Sequence, residues 1–399
     1  MDLRLSAKKL ETQMIQWRRD LHRIPETGLH LPQTAAYIAN ELRQMGIRFQ
    51  ENVGGSSSLV GYVTGDDSGK TIALRADMDG LALKEETGVS YASNNGNMHA
   101  CGHDAHAAML LGAARMLQDH RDQLKGNVKL IFQAGEEGPG GALPLIKAGA
   151  LEHPTVSAVL GLHVGIVSNE IQSGMIGICY GKMMACMDRF TIRVRGKGCH
   201  GAYPESGVDP IILAAQMIIM LQTLVSREIG STEPVVITVG KINGGSAFNI
   251  IPDMVELEGT VRAVDKQVRN QVARRMKEMT ESIATSMRGK ADFEYHYGYP
   301  PLVNHAEFTA EFLQTAKKIV GEENIVEIKT PVMGGEDMAY FLEAVPGTFF
   351  FLGSVLETEG IVYPHHSSRF NLDEDVFVTG AELLAQGAFD WIQKTSHHD

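Results

Sequence analysis

AHAAMLLGAARML (residues 105–117), NVKLIFQ (127–133), GALPLIKA (141–148) and AVLGLHV (158–164) follow one another with short connections, and their reading decides the fold. In the first and third, apolar residues return at helical spacing, whereas the second and fourth are brief, nearly unbroken apolar runs of the kind a buried strand shows. Helix and strand in regular alternation imply an α/β domain with a helix-flanked, mainly parallel sheet. Toward the N-terminus, Ser6 to Gly46 keeps a helical period broken by turns at Pro25 and Pro32, and Ser58–Val63 and Thr71–Leu74 read as strands.

Toward the C-terminus the texture changes near Met187. Phe190–Val194, Val235–Lys241, Met254–Val264 and Phe293–Tyr297 read as strands, with a helix at Pro210–Ser226 and a long charged one at Asp265–Met287. This is the pattern of a compact α+β unit, ferredoxin-like in its order of elements. From Asn304 the helix and strand alternation resumes, with a strand near Thr348–Leu352 and a last helix from Val376 to Thr395. The expectation is an inserted domain at 185–298 within a discontinuous larger domain, 1–184 and 299–399. Neither a repeat nor a low-complexity tract is visible.

The 399 residues carry 36 Lys+Arg against 48 Asp+Glu, a formal net charge of −12, which speaks against a nucleic-acid or anionic-membrane surface. With 44% hydrophobic and 21% charged residues the chain is composed like an ordinary folded protein, and it is longer than one core usually sustains. Its four cysteines, at 101, 179, 186 and 199, are too sparse for a disulfide scaffold and lack Cys-x-x-Cys spacing, so a reducing, cytoplasmic setting is expected. MDLRLSAKKLETQMIQWRRD mixes charged and apolar residues where a secretory signal needs an apolar stretch. Ile211–Val225 is the most apolar segment, but it falls short of the roughly 20 residues that span a bilayer and is interrupted by Gln216, Gln222 and Thr223. It reads as a buried helix of a soluble protein.

Chemistry concentrates at strand exits. MHACGHDAH, residues 98–106, sets Cys101 and His103 two apart before a helix, where a thiolate and an imidazole could grip one cation; a buried cysteine beside solvated histidines is the plainer alternative. FQAGEEG puts Glu136 and Glu137 directly after an apolar strand, at the sheet edge that hosts ligands in open α/β folds. Neighbouring side chains diverge, so one carboxylate could bind metal while the other faces a water. GLHV ends a strand on His163, and PHHSSRF places His365 and His366 in a loop after the last strand. RADMDG puts Asp77 and Asp79 at another strand exit, where either could orient a ligating histidine or simply make a turn. Together these elements hold enough donors for two metals, and mixed Cys, His and carboxylate shells suit Zn²⁺ and similar cations.

These motifs, with WRRDLHRIPETG near the start, GKGCHGAYPESGVDP and AFNIIPD in the insertion, and GGEDMAYFLE and HHSSRF near the end, resemble the M20 metallopeptidases over nearly the whole length. The branch is that of aminoacylases, hippurate hydrolases and auxin-conjugate hydrolases. The resemblance implies that Cys101, His103, Glu137, His163 and His366 hold two divalent metals (Zn²⁺, Mn²⁺, Co²⁺ or Ni²⁺), with Glu136 as general base and Asp79 as the supporting aspartate. It also implies that the inserted domain is a lid and dimerisation domain, and that His200 reaches the active site of a neighbouring subunit to stabilise the oxyanion. Asn249 and Arg262 fall where relatives have substrate-contacting or interface residues. The spacing from His366 to Phe370 matches the family's His to aromatic spacing, which selects His366 over its neighbour His365. Ser368 stands where relatives often carry Pro.

The implied reaction is hydrolysis of an N-acyl-amino acid, a small-molecule substrate, by a metal-bridged hydroxide, with Glu136 taking and returning the proton. A homodimer or larger homo-oligomer follows from the role of His200, and neither nucleic acid nor membrane is an expected partner. A dipeptidase, a carboxypeptidase-like enzyme or a carbamoyl-amino-acid hydrolase could use the same centre, and a metal-dependent binding protein is the reading outside catalysis. No G-x-S-x-G, H-E-x-x-H or G-x-x-x-x-G-K-[ST] motif occurs.

Overall fold

The computed structural model describes residues 3–66, 69–166, 168 and 170–395. It divides into two compact units: Met1–Gly181, Val303–Lys329 and Tyr340–Asp399 form the larger, Lys182–Leu302 and Thr330–Ala339 the smaller. Thr330–Ala339 lies in the part of the chain that the sequence reading gives to the larger domain. Backbone pairing ties it to the smaller unit, where Ala185 N–H donates to the Val332 carbonyl at 3.1 Å.

An eight-stranded sheet organises the larger unit, in the order Arg48–Val53, Ser58–Thr64, Asn127–Gln133, Thr71–Asp77, Val156–Gly165, Gly347–Gly353, Ile176–Ile178, Ile325–Glu327. The four central strands, from Asn127–Gln133 to Gly347–Gly353, are mutually parallel. Asn127–Gln133, Thr71–Asp77 and Gly347–Gly353 are buried along their whole length. Such burial explains why apolar residues occur on both faces of these strands, since a parallel strand covered on both sides has no reason to alternate. Each fully buried Leu, Ile or Phe contributes about 1.5–3 kcal/mol.

Helix His103–Asp119 packs on Thr71–Asp77 and against helices Glu11–His22 and Phe377–Thr395. Its Ala, Leu and Met residues suit a helix surrounded by protein, and nearly all are buried. Gly102 starts it in a left-handed conformation, φ +87°. A Cβ at this position would lie 3.0 Å from Val164 Cγ1, so glycine lets the chain turn tightly between Cys101 and His103.

The smaller unit holds a four-stranded antiparallel sheet in the order Val235–Gly244, Met254–Ala263, Met187–Arg195, Lys290–Tyr299. Helices Pro210–Thr223 and Lys266–Ser286 pack on one face and on each other, which with the strand order is the ferredoxin-like arrangement. Covered on one side only, these strands alternate: along Met187–Arg195, Phe190, Ile192 and Val194 point into the core. Asp209 and Asp265 cap the two helices through the amides of Ile211, Ile212, Gln267 and Val268.

Pro210–Glu228 is the one segment among the described residues long and apolar enough to cross a membrane by length and composition. The expectation of a buried helix needs correction here. Leu213, Ala214, Met217 and Leu221 are buried, but Ile211, Ile212 and Ile219 are exposed, because a single layer of sheet covers only one face.

Candidate active site

Within the larger unit, the parallel strands end together, and the donor-bearing residues sit at or just past those ends. Asp77 closes Thr71–Asp77, Glu136 and Glu137 follow Asn127–Gln133, and His163 lies near the end of Val156–Gly165. Open α/β sheets gather ligands at this edge.

Asp79 is the hub of the arrangement and is 1% exposed. Its Oδ1 accepts from Glu136 N–H and its Oδ2 from Glu137 N–H, each at 3.0 Å, while His103 Nδ1 lies 3.3 Å from Oδ1. One carboxylate thereby sets the backbone of both glutamates and the ring of a histidine. With Nδ1 turned to Asp79, His103 Nε2 is left buried without a hydrogen-bond partner. An orphaned imidazole nitrogen beside a thiol and carboxylates is a donor set that a divalent cation satisfies.

His163 is oriented in the same fashion. Its Nδ1 donates to its neighbour's carbonyl, Val164 O, at 3.0 Å, leaving Nε2 3.4 Å from Cys101 Sγ. His366 Nε2 lies 3.0 Å from Glu137 Oε1. The donor atoms fall into overlapping groups, Cys101 with His103 and His163, Cys101 with Glu137 and His366, and His103 with Glu136 and Glu137, each drawn within 4.8 Å. Cys101 Sγ belongs to two of them.

His106 also approaches Asp77 and His103, yet both of its nitrogens are engaged. Nε2 accepts from Val164 N–H at 2.8 Å and Nδ1 faces Asp77 Oδ1 at 2.5 Å. Asp77 in turn accepts from Arg75 Nη1 at 2.8 Å. His365 Nε2 donates to Val164 O at 3.1 Å and so points away from Glu137's partner His366.

Behind His103 lies a buried polar network that sequence reasoning quotes as a motif without giving it a role. Arg18 donates to Asp104 Oδ2 at 2.9 Å, to Tyr91 at 2.9 Å, and to Glu374 and Asn371 at 3.2 Å. His22 bridges Asp104 and Glu85 at 2.7 and 3.2 Å. A basic, helical Trp-Arg-Arg-Asp-Leu-His carrying its Arg and His four apart is the only signal for it, since residues i and i+4 share a helix face.

Electrostatics follow from the packing. Burial alone would raise Asp77, but His103, His106 and Arg75 hold it well below the usual carboxylate range. Burial likewise opposes the charged form of His103, yet Asp77 and Asp79 lift it well above the usual imidazole value. Hydrogen bonds to Cys101 and Glu137 pull His366 up to about 10. Burial together with His106 and His365 pushes His163 well down, and burial pushes the Cys101 thiol up. Strongly displaced values in both directions among touching groups are a pattern that functional centres share with buried ion-pair networks, so the geometry of the donor groups carries the reading.

The remaining sequence-derived residues lie in the smaller unit. His200 pairs with Ile250 in a two-stranded ladder and is exposed, its Nδ1 accepting from Ala202 N–H at 3.0 Å. His200 and Asn249 line one open groove with Ser246 and Asp253. Arg262 does not join them; it donates to Thr260 and, at 3.2 Å, to Val261 O within its own strand.

Residues 73–389 match the model of peptidase family M20/M25/M40. The chain is 42% identical over 385 residues to an N-acetyl-L-cysteine deacetylase of Bacillus subtilis, covering 96% of this chain and 89% of the relative. It is 39% identical over 383 residues to thermostable carboxypeptidase 1 of Saccharolobus solfataricus, with 95% of each covered. Among solved structures, a Bacillus subtilis dinuclear metal binding peptidase from the M20 family superposes with a TM-score of 0.82 at 32% identity, over 97% of this chain and 99% of that one. Sequence, architecture and the donor-rich sheet edge agree: the chain belongs to peptidase family M20/M25/M40 and is a metal-dependent amide hydrolase.

Proposed function

We propose that the protein hydrolyses the amide of N-acyl-amino acids, using two divalent cations held by Cys101, His103, Glu137, His163 and His366. The observation that carries this reading is the pair of donor groups joined at Cys101 Sγ, with Glu136 beside Glu137 at the same strand exit. The deacetylase and carboxypeptidase relatives support the substrate class from two sides. Both names describe cleavage of an amide whose nitrogen belongs to an amino acid with a free carboxylate.

The cations, whether Zn²⁺, Mn²⁺, Co²⁺ or Ni²⁺, would acidify a water and polarise the scissile carbonyl. Glu136 accepts the proton and returns it to the leaving amine, as a general base that becomes a general acid. Asp79 fixes the direction of Glu136 and Glu137 through their amides. His200 supplies an oxyanion donor from a second subunit, a contribution of about 2.7–4 kcal/mol in acyl-transfer sites. Asn249 and Arg262 are assigned to substrate or interface contacts, and the smaller unit to the roles of lid and dimerisation surface. The unpaired outer edge of Val235–Gly244, with Val236 and Ile242 exposed, and the exposed isoleucines of helix Pro210–Thr223 support a homodimer. The sparse cysteines support a cytoplasmic setting.

The test is a panel of acetyl-, benzoyl- and carbamoyl-amino acids and dipeptides, assayed on chelated enzyme reloaded with each metal. Acyl-amino acids are expected to lead; turnover of dipeptides alone would favour the carboxypeptidase-like reading that the Saccharolobus relative suggests. Glu136→Gln should lower kcat by about 10²–10⁴ while keeping both metals, and near-normal turnover would overturn its role. Mixing His200→Ala with Glu136→Gln chains should recover activity; a mixture as inactive as its components would argue for a self-contained site.

A further inference from the structure

The Val164 peptide is held from three sides by histidines. Its N–H is accepted by His106 Nε2 at 2.8 Å, and its carbonyl receives His163 Nδ1 at 3.0 Å and His365 Nε2 at 3.1 Å. Both lone pairs of one carbonyl are therefore engaged, one by each of two rings set edge to face at 75°, their centroids 5.1 Å apart. Glycine follows immediately, and nothing else fits: Gly165 has φ +126°, and a Cβ there would lie 2.2 Å from His365 Nε2.

The next residue along the loop, His366, is held in the left-handed region at φ +65°, a conformation that a non-glycine residue keeps only where its surroundings impose it. Two anchors impose it. His366 N–H donates to the Ala100 carbonyl at 2.8 Å, next to Cys101, and His365 is fixed on Val164, next to His163. Phe370 closes against the His365 ring at 4.9 Å between centroids.

We infer that His365 is a positioning residue for metal binding: by clamping the Val164 carbonyl it locks the loop that presents His366, and so ties the donor of one cation position to His163 of the other. This rests on the reading of His163 and His366 as ligands. His106 completes the clamp from the amide side. The adjacent histidines thus have separate tasks, His366 facing Glu137 and His365 facing the sheet.

The experiment titrates chelated protein with Co²⁺, following heat by calorimetry and the thiolate-to-cobalt absorption band. Wild type is expected to take two equivalents and His366→Ala one. His365→Phe, which keeps the ring and removes the donor, should weaken the second equivalent by about 10–100-fold without lowering the unfolding temperature of the metal-free protein. His365→Gln, whose amide can donate to the same carbonyl, should restore most of it. If His365→Phe does not fold, His365→Leu is read in the same way. Two equivalents at wild-type affinity in the donor-less variant, beside a one-equivalent His366→Ala, would overturn the proposal alone. Two tight equivalents in His366→Ala would instead overturn the ligand reading and the proposal with it.

Discussion

Asp79 in the larger unit and Asp188 in the smaller are both buried carboxylates, at 1% and 0% exposure, but their hydrogen-bond networks end differently. Asp188 accepts from Arg269 Nε and Nη2 at 2.8 and 2.5 Å, from Tyr295 at 2.7 Å and from Gly298 N–H at 2.9 Å, so every bond closes on protein. Asp79 accepts from two backbone amides and faces His103, whose other nitrogen has no partner. The first network closes on protein; the second ends on a buried imidazole nitrogen beside a thiol and two carboxylates, a set that a cation would satisfy. Burial of charge alone does not distinguish them, because both are costly until satisfied.

The comparison can be broken in three ways. The largest effect is expected from Asp188→Ala, which strands the Arg269 guanidinium and should cost about 3–5 kcal/mol of stability, read by denaturant unfolding, with metal content per folded chain unchanged. Loss of metal at full stability would remove the distinction. Asp79→Asn should weaken metal affinity about 10–100-fold by competition with a chelator; because its NH2 group would face one of the two backbone N–H donors, the metal-free midpoint should also fall, but by less than in Asp188→Ala. The smallest effect concerns pH. Burial would raise Asp104, but Arg18 and His22 hold it well below the usual carboxylate range, so its folded form favours the charged state. Its contribution is complete above about pH 4 and is lost progressively as pH falls below that, down to its much lower folded value. Thermal melts of metal-free protein from pH 3 to 7 should show this acid limb, and Asp104→Asn should flatten it at lower overall stability; an unchanged limb would mean that other carboxylates carry it.

Legibility in the sequence follows physical range. Asn127–Gln133 and Val156–Gly165 could be read because buried parallel strands are continuous apolar runs, and helix His103–Asp119 because its period is sustained over several turns. Ile176–Ile178 and Ile325–Glu327 could not, since three residues carry no period. The exposed side of Pro210–Thr223 is not legible, because an apolar surface and an apolar core look alike in a list of residue types. At the candidate site, the types of donor are visible in order along the chain. Which nitrogen of a histidine faces which partner is not: His106 meets Val164 across 58 residues, His365 meets it across 201, and Arg18 meets Glu374 across 356. Such closures depend on the folded backbone, and only the family pattern substitutes for it.

The shared sulfur of Cys101 has a consequence for ion selection. In the proposed centre, a thiolate common to both donor groups would make the whole centre soft on one side, so the alkaline-earth ions abundant in cells, which prefer oxygen shells, would be poor occupants of either position. One atom would thereby restrict the proposed pair to borderline transition metals, and exchanging it for a hydroxyl would be expected to widen the range of ions accepted before it changed anything else.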